Sequence, residues 1–167
     1  ITTAAALEII GEETTFATTF SYDGVIKENV LHGNLYIIGG GDPCLGSERC
    51  SLSWKEQVAS WVKAIQALGI LKIEGNVIGD ASLWEKAMAS PGIGWEDIGN
   101  YYGAGASALS FHENSYLLTF QPGKEEGDST VISRIEPNLE YITLYNEVKT
   151  GPIGSGDQAC LYGGEFS

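Results

Sequence analysis

The chain is 167 residues long and 43% hydrophobic, and it carries 22 acidic against 9 basic side chains, a net charge of −13. That length suits one ordinary domain or two small ones with a real core, and the apolar content argues against disorder. The charge argues against nucleic acid and anionic lipid as partners, and no apolar run nears the ~20 residues of a membrane-spanning helix. Thr2 to Ile10 reads as a helix end, with Ala4, Ala5, Ala6 and Leu7 as good formers and Gly11 as the stop. Thr14 to Tyr22 is rich in Thr and Phe, as a strand is. Asp23-Gly24 is a two-residue turn signal, and Val25 to Leu31 reads as the returning partner strand. Leu35 to Ile38 is a short buried strand ending at Gly39-Gly40-Gly41. The triple glycine invites a phosphate-loop reading, but Asp42-Pro43 follows where Lys-Ser/Thr would be needed, so a strand-to-loop bend is the better account.

Ser53 to Leu68 carries the clearest helix pattern. Ser53 with Glu56 makes a capping box, Trp54, Val58, Trp61, Val62, Ile65 and Leu68 share one face, and Gly69 ends it. Ile70 to Ile78 is then a strand, or two halves around Gly75, and closes a β-α-β unit. A short helix is expected around Leu83 to Ala89, before the break at Pro91-Gly92. Ala108 to Phe111 and Tyr116 to Phe120 read as a hairpin about Glu113-Asn114-Ser115. Three more strands are expected at Thr130 to Ile135, Tyr141 to Val148 and Gln158 to Tyr162. The fold class is therefore mixed α/β: a mixed sheet with packed helices, plus a smaller β-rich part toward the C-terminus.

Cys44 and Cys50 flank a short loop that could close as a disulfide, and two free buried thiols fit the sequence equally well. Cys160 is left over and is expected to be buried and inert. Neither His32 nor His112 pairs with another His, and the tight Cys pair of zinc folds is missing, so no metal site is expected.

Several stretches match a known pattern in order. They are Thr2-Thr3-Ala4-Ala5-Ala6-Leu7; Gly33-Asn34-Leu35-Tyr36-Ile37 with Gly39-Gly40-Gly41-Asp42-Pro43; and Gly69-Ile70 with Ile73-Glu74-Gly75-Asn76-Val77-Ile78-Gly79-Asp80. Tyr102-Gly103-Ala104-Gly105 with Ser107-Ala108-Leu109-Ser110-Phe111 and Glu113-Asn114 follows, then Thr150-Gly151 with Gly154-Ser155-Gly156-Asp157. Together they resemble the penicillin-binding protein 4 type of D-alanyl-D-alanine carboxypeptidase/endopeptidase, across essentially the whole chain. The resemblance implies an exported serine peptidase that works on peptidoglycan stem peptides and is acylated by β-lactams. It also implies a periplasmic or other extracytoplasmic setting, in which a Cys44–Cys50 bridge is allowed.

Such enzymes use a Ser-x-x-Lys nucleophile motif, a Ser-x-Asn and a Lys-Thr-Gly. Ser60-Trp61-Val62-Lys63 and Lys149-Thr150-Gly151 match two of these in letters, and no Ser-x-Asn occurs in the chain. Ser60 falls in mid-helix, where its hydroxyl would turn back on a carbonyl one turn earlier. Lys149 falls where the family varies. Both matches are read as decoys.

In the proteins resembled, the nucleophile motif comes just before Thr-Thr-Ala-Ala-Ala-Leu, which places it upstream of Ile1, and the other two motifs fall downstream of Ser167. The expected layout is residues 1–11 as the tail of the nucleophile's helix, 12–120 as an α/β insertion and 121–167 as a β-rich second part. No catalytic residue and no cofactor is expected within this stretch. Its partners would be the rest of the catalytic domain and, through the intact enzyme, the stem peptide.

Two rivals stand beside this reading. A binding module for cell-wall glycan or a partner protein would use Trp54, Trp61, Trp84, Trp95, Tyr101 and Tyr102, and some of those rings would have to be exposed. An acidic hydrolase would need two carboxylates facing each other across a cleft, and the adjacent Glu96 and Asp97 diverge.

Overall fold

The computed structural model describes residues 1–84 and 92–162. The chain divides into two compact units, residues 1–86 with 107–111, and residues 87–106 with 112–167.

In the first unit, helix α1 (Thr2–Ile10) ends at Gly11, whose N–H donates to the Leu7 carbonyl, and it buries no residue. Strands β1 (Thr19–Tyr22), β2 (Val25–Lys27), β3 (Val30–His32) and β4 (Leu35–Ile38) follow. β2 pairs antiparallel with β3 and β1 with β4, in one unbroken register from Lys27↔Val30 to Thr19↔Ile38. The turn of this long hairpin is therefore Glu28-Asn29, not Asp23-Gly24. Both turn residues take left-handed backbone (φ 51° and 63°), as a two-residue primed turn requires. The Asn29 side chain donates to the Gly69 carbonyl (3.0 Å), and the Asn29 carbonyl accepts from Leu71 N (2.8 Å), which anchors the hairpin tip to the chain beyond the second helix.

Asp23-Gly24 instead marks a bend. After helix α2 (Trp54–Ala67), strands β5 (Lys72–Glu74) and β6 (Val77–Asp80) run parallel to β3 and β4, and Gly75 separates them as one of the sequence readings has it. The result is two three-stranded sheets, β2-β3-β5 and β1-β4-β6, which share one register across a line of glycines. A Cβ at Gly24 would lie 2.1 Å from the His32 carbonyl oxygen, at Gly33 2.2 Å from that of Asp23, and at Gly75 2.1 Å from that of Gly33. Only glycine lets three adjacent strands bend together here.

The core is Leu31, Leu35 and Ile70, with Phe20, Ile26, Ile65 and Ile73 packed around it. α2 begins with the expected capping box: Ser53 Oγ accepts from Glu56 N, and Glu56 Oε2 accepts from Ser53 N at 3.0 Å. Its apolar face is only half covered. Trp54, Trp61 and Ile65 are half-buried, whereas Val58, Val62 and Leu68 stay exposed. Trp61 meets Phe20 edge-on at 5.5 Å and Phe111 at 5.4 Å.

The triple glycine has a packing role too. Ser107–Phe111 lies on it, with Gly41 N donating to the Ala108 carbonyl at 2.8 Å and Ala108 fully buried. A Cβ at Gly39 would fall 2.2 Å from that carbonyl oxygen. Ala108 to Phe111 therefore does not form the first strand of a hairpin. The expected helix around Leu83 to Ala89 lies outside the described residues, save Leu83 and Trp84, which form a turn.

In the second unit, β7 (Leu117–Gln121) pairs antiparallel with β8 (Val131–Glu136). Neither Tyr141 to Val148 nor Gln158 to Tyr162 is a strand; the nearest pairing is a single bridge between Ser129 and Lys149. His112, Glu113 and Asn114 form one left-handed turn (φ 50°, 57° and 51°), closed by Ser115 N donating to the His112 carbonyl. Asn114 Nδ2 donates to the Gly105 carbonyl (2.9 Å), and Glu113 is half-buried.

Candidate functional site

Ser60 and Lys63 stand on α2 in the first unit, and both are exposed. Ser60 is the seventh residue of the helix, so its backbone N–H is used within the helix and offers nothing to a developing anion. Lys149 belongs to the second unit, where its Nζ donates to Ser129 Oγ at 2.8 Å. Thr150 is part of the same clip. Its N–H donates to the Asp128 carbonyl, its carbonyl accepts from Gly127 N, and its Oγ1 accepts from Gly123 N, all at 2.8–2.9 Å. Lys149-Thr150-Gly151 thus fastens the loop before β8.

The two histidines belong to different units. His32 Nδ1 sits 3.0 Å from Glu74 Oε2 on neighbouring strands, and Lys72 Nζ reaches the other oxygen of the same carboxylate at 2.6 Å. Lys72, the nearer and stronger partner, holds the Glu74 carboxyl below its usual range, and His32 adds to this. His112 lies in the left-handed turn. No group of three or more His, Cys, Asp or Glu among the described residues is placed to hold a metal ion.

The surface with the most recognition chemistry is in the second unit. A turn of 3-10 helix at Trp95–Asp97 presents Trp95 in solvent, and Tyr101 and Tyr102 follow with their rings edge to face at 5.3 Å. Trp95 is 61%, Tyr101 74% and Tyr102 59% exposed, far too open for core residues. Tyr102 Oη donates to Asp97 Oδ1 at 2.8 Å, and that bond to a carboxylate pushes the phenol's pKa up. Gly99 and Gly103 permit the close turns: a Cβ at Gly99 would fall 2.0 Å from the Leu161 carbonyl oxygen, and at Gly103 2.0 Å from that of Asp97. Tyr162 and Cys160 lie beside this turn, and Cys160 is exposed rather than buried, because the chain there runs over the surface without entering a sheet. Flat faces flanked by carboxylates can stack on apolar sugar faces or on cations. Trp84, in the first unit, is exposed as well, whereas Trp54 and Trp61 are half-buried.

The sequence reading missed the seat of Ser107–Phe111 on the glycines and the left-handed turn after it. The small Ala108 opposite three glycines was a usable signal for the first. Nothing local marks three consecutive left-handed residues that include no glycine.

The D-alanyl-D-alanine carboxypeptidase of an Actinomadura species is 26% identical over 163 residues, which cover 93% of this chain and 28% of that protein. The D-alanyl-D-alanine carboxypeptidase DacB of Haemophilus influenzae is 24% identical over 132 residues, covering 79% of this chain and 26% of the relative. The crystal structure of penicillin binding protein 4 (dacB) from Haemophilus influenzae superposes with a TM-score of 0.65 at 26% identity, over 78% of this chain and 27% of that one. The chain thus spans about a quarter of the length of these relatives. The fold is the mixed α/β arrangement expected from the sequence, and it is similar to the matching part of that structure. The family model for the D-Ala-D-Ala carboxypeptidase 3 (S13) family matches residues 1–160, and the chain belongs to that family.

Proposed function

We propose that this chain is the non-catalytic insertion of an exported serine-type D-Ala-D-Ala carboxypeptidase or endopeptidase, and that the intact enzyme trims or cleaves peptidoglycan stem peptides. On this reading α1 is the tail of the nucleophile's helix, β-lactams acylate the intact enzyme, and the setting is periplasmic or extracytoplasmic. The observation that carries it is a family match along nearly the whole chain in a piece about a quarter as long as its relatives. The two motif matches add support: Ser60 is an exposed mid-helix residue, and the Lys149 amine is engaged by Ser129. A nucleophilic serine needs oxyanion donors beside it, and the Ser60 backbone N–H is already used within α2.

A fluorescent penicillin is expected to leave the 167-residue chain unlabelled while labelling the longer polypeptide that contains it. Covalent label on the 167-residue chain that disappears in Ser60→Ala overturns the reading. The exposure of Trp95, Tyr101 and Tyr102 favours a second reading, in which this piece also binds cell-wall material or a partner protein through that face. Titrating soluble glycan fragments against tryptophan fluorescence tests it, with Trp95→Ala as the variant expected to lose any response.

A further inference from the structure

We propose that the Cys44–Cys50 disulfide is a thiol-responsive clasp that sets how firmly Ser107–Phe111 is seated on the first unit. The two cysteines are bridged, and both are exposed, so a reductant in solvent can reach the sulfurs. Between them the loop turns inward, with Leu45 5% and Ser47 3% exposed. At its apex Gly46 takes left-handed backbone (φ 65°), and a Cβ there would lie 3.0 Å from both the Phe111 ring and Trp54 Cα. The backbone of the bridged loop therefore rests directly on Phe111 and on the first residue of α2.

Phe111 is the last residue of the segment that covers Gly39 to Gly41, and its ring also meets that of Trp61. The loop, Phe111, Trp61 and Phe20 make one continuous stack. Within the loop, Cys44 N donates to Asp42 Oδ1 (2.8 Å), Ser47 N to the Cys44 carbonyl (3.2 Å) and Cys50 N to the Ser47 carbonyl (3.0 Å). Arg49 N donates to Ser47 Oγ (3.2 Å), and the Cys44–Cys50 bond is the covalent cross-link that closes the loop. The ring is short, with a sequence separation of six, so it removes less chain entropy than a long-range bridge would. It also ties down the loop that rests on Phe111.

The chemistry is ordinary exchange. A thiolate of an external dithiol attacks one sulfur, the Cys44–Cys50 S–S bond breaks, and a mixed disulfide forms. The second thiol of the reagent then displaces the remaining cysteine. Two electrons pass to the protein's sulfurs, which take up the two protons the dithiol gives up.

The test uses the wild-type chain with and without dithiothreitol or a reduced thiol–disulfide oxidoreductase. Thiols are counted by alkylation, and amide exchange is followed by mass spectrometry. Reduction is expected to expose two further thiols beside Cys160 and to speed exchange across 107–111 on the order of tenfold, with β3, β4, β5 and β6 still protected. The paired variant Cys44→Ser with Cys50→Ser is expected to show that faster exchange without reductant and to gain nothing from it. Phe111→Ala, with the bridge intact, is expected to loosen 107–111 while the thiol count stays unchanged. Two free thiols with unchanged exchange at 107–111 would show a passive staple and overturn the proposal. So would a bridge that resists millimolar dithiol until the chain unfolds. The wild-type arm decides the matter even where a variant fails to fold.

Discussion

Asp23 shows how one side chain can hold a bend. Its carboxylate accepts from Asn34 N (2.6 Å), Asn34 Nδ2 (3.0 Å) and Tyr36 Oη (2.8 Å), and Asn34 in turn accepts from Asn76 N (2.9 Å). The bond from the Asn34 backbone, then those from the Asn34 and Tyr36 side chains, keep the Asp23 pKa below the ordinary carboxylate value. A lowered carboxylate pKa means stability that is fully present above the unfolded value, near pH 4, and lost as pH falls through the folded one. Asp23→Asn is therefore expected to be less stable than wild type at pH 6, with the difference closing below about pH 4. Paired denaturant titrations across that range check it, and a gap that does not narrow as pH falls below about 4 contradicts the assignment. The dipeptide Asp23-Gly24 was legible as special, but its role was not. A turn and a bend use the same residues, and the choice rests on partners eleven and thirteen positions away, which no local window contains.

At the scale of elements, what could be read was what the chain specifies locally. α2 has its cap, its apolar spacing and its terminal glycine within one stretch, and it forms from Trp54 to Ala67 between Ser53 and Gly69. The capping box predicts a measurable loss: Ser53→Ala is expected to cost about 1 kcal/mol, read as a lower denaturation midpoint with unchanged slope. No change would mean that packing of Trp61 and Ile65 alone fixes the helix start. The β-α-β unit was legible for the same reason, since β4, α2 and β6, the strand parallel to β4, each carry their own pattern. Tyr141 to Val148 and Gln158 to Tyr162 have strand-like composition, but a strand needs a partner edge, and strand preference is mostly a measure of that context. Here Thr130 binds the Val148 carbonyl through both N–H and hydroxyl, and Asn146 Nδ2 binds the Thr130 carbonyl, so side chains hold what a ladder would have held. The exposed aromatic face was legible as a list of rings. Helical spacing marked Trp54 and Trp61 as core-facing, and both are half-buried, whereas no such period tells where Trp95, Tyr101 and Tyr102 lie.

Across the whole molecule, apolar burial is uneven, and this bears on the proposed role. Leu31, Leu35, Leu45, Ile70 and Ala108, the buried apolar residues among those described, all belong to the first unit. In the second unit the buried residues among those described are Gly103 and Thr130, while Leu117, Val131, Tyr141, Tyr145 and Ile153 stand in solvent. Burial of apolar surface supplies most of the stabilisation of a fold, so the second unit has little of its own to resist opening. Amides of β7 and β8 are thus expected to exchange at least tenfold faster than those of β3, β4 and β6, on the order of 1.4 kcal/mol or more in opening free energy. Hydrogen exchange on the 167-residue chain measures this directly, and equal protection in the two units would contradict it. Under the proposed function, the same measurement on an intact enzyme that contains this chain extends the test. If this piece is an insertion that packs on a catalytic domain, the exposed side chains of the second unit gain cover there, and protection of β7 and β8 rises while that of β3 and β4 barely moves. An insertion that binds other partners instead leaves the gap as wide in the long polypeptide as in the short one.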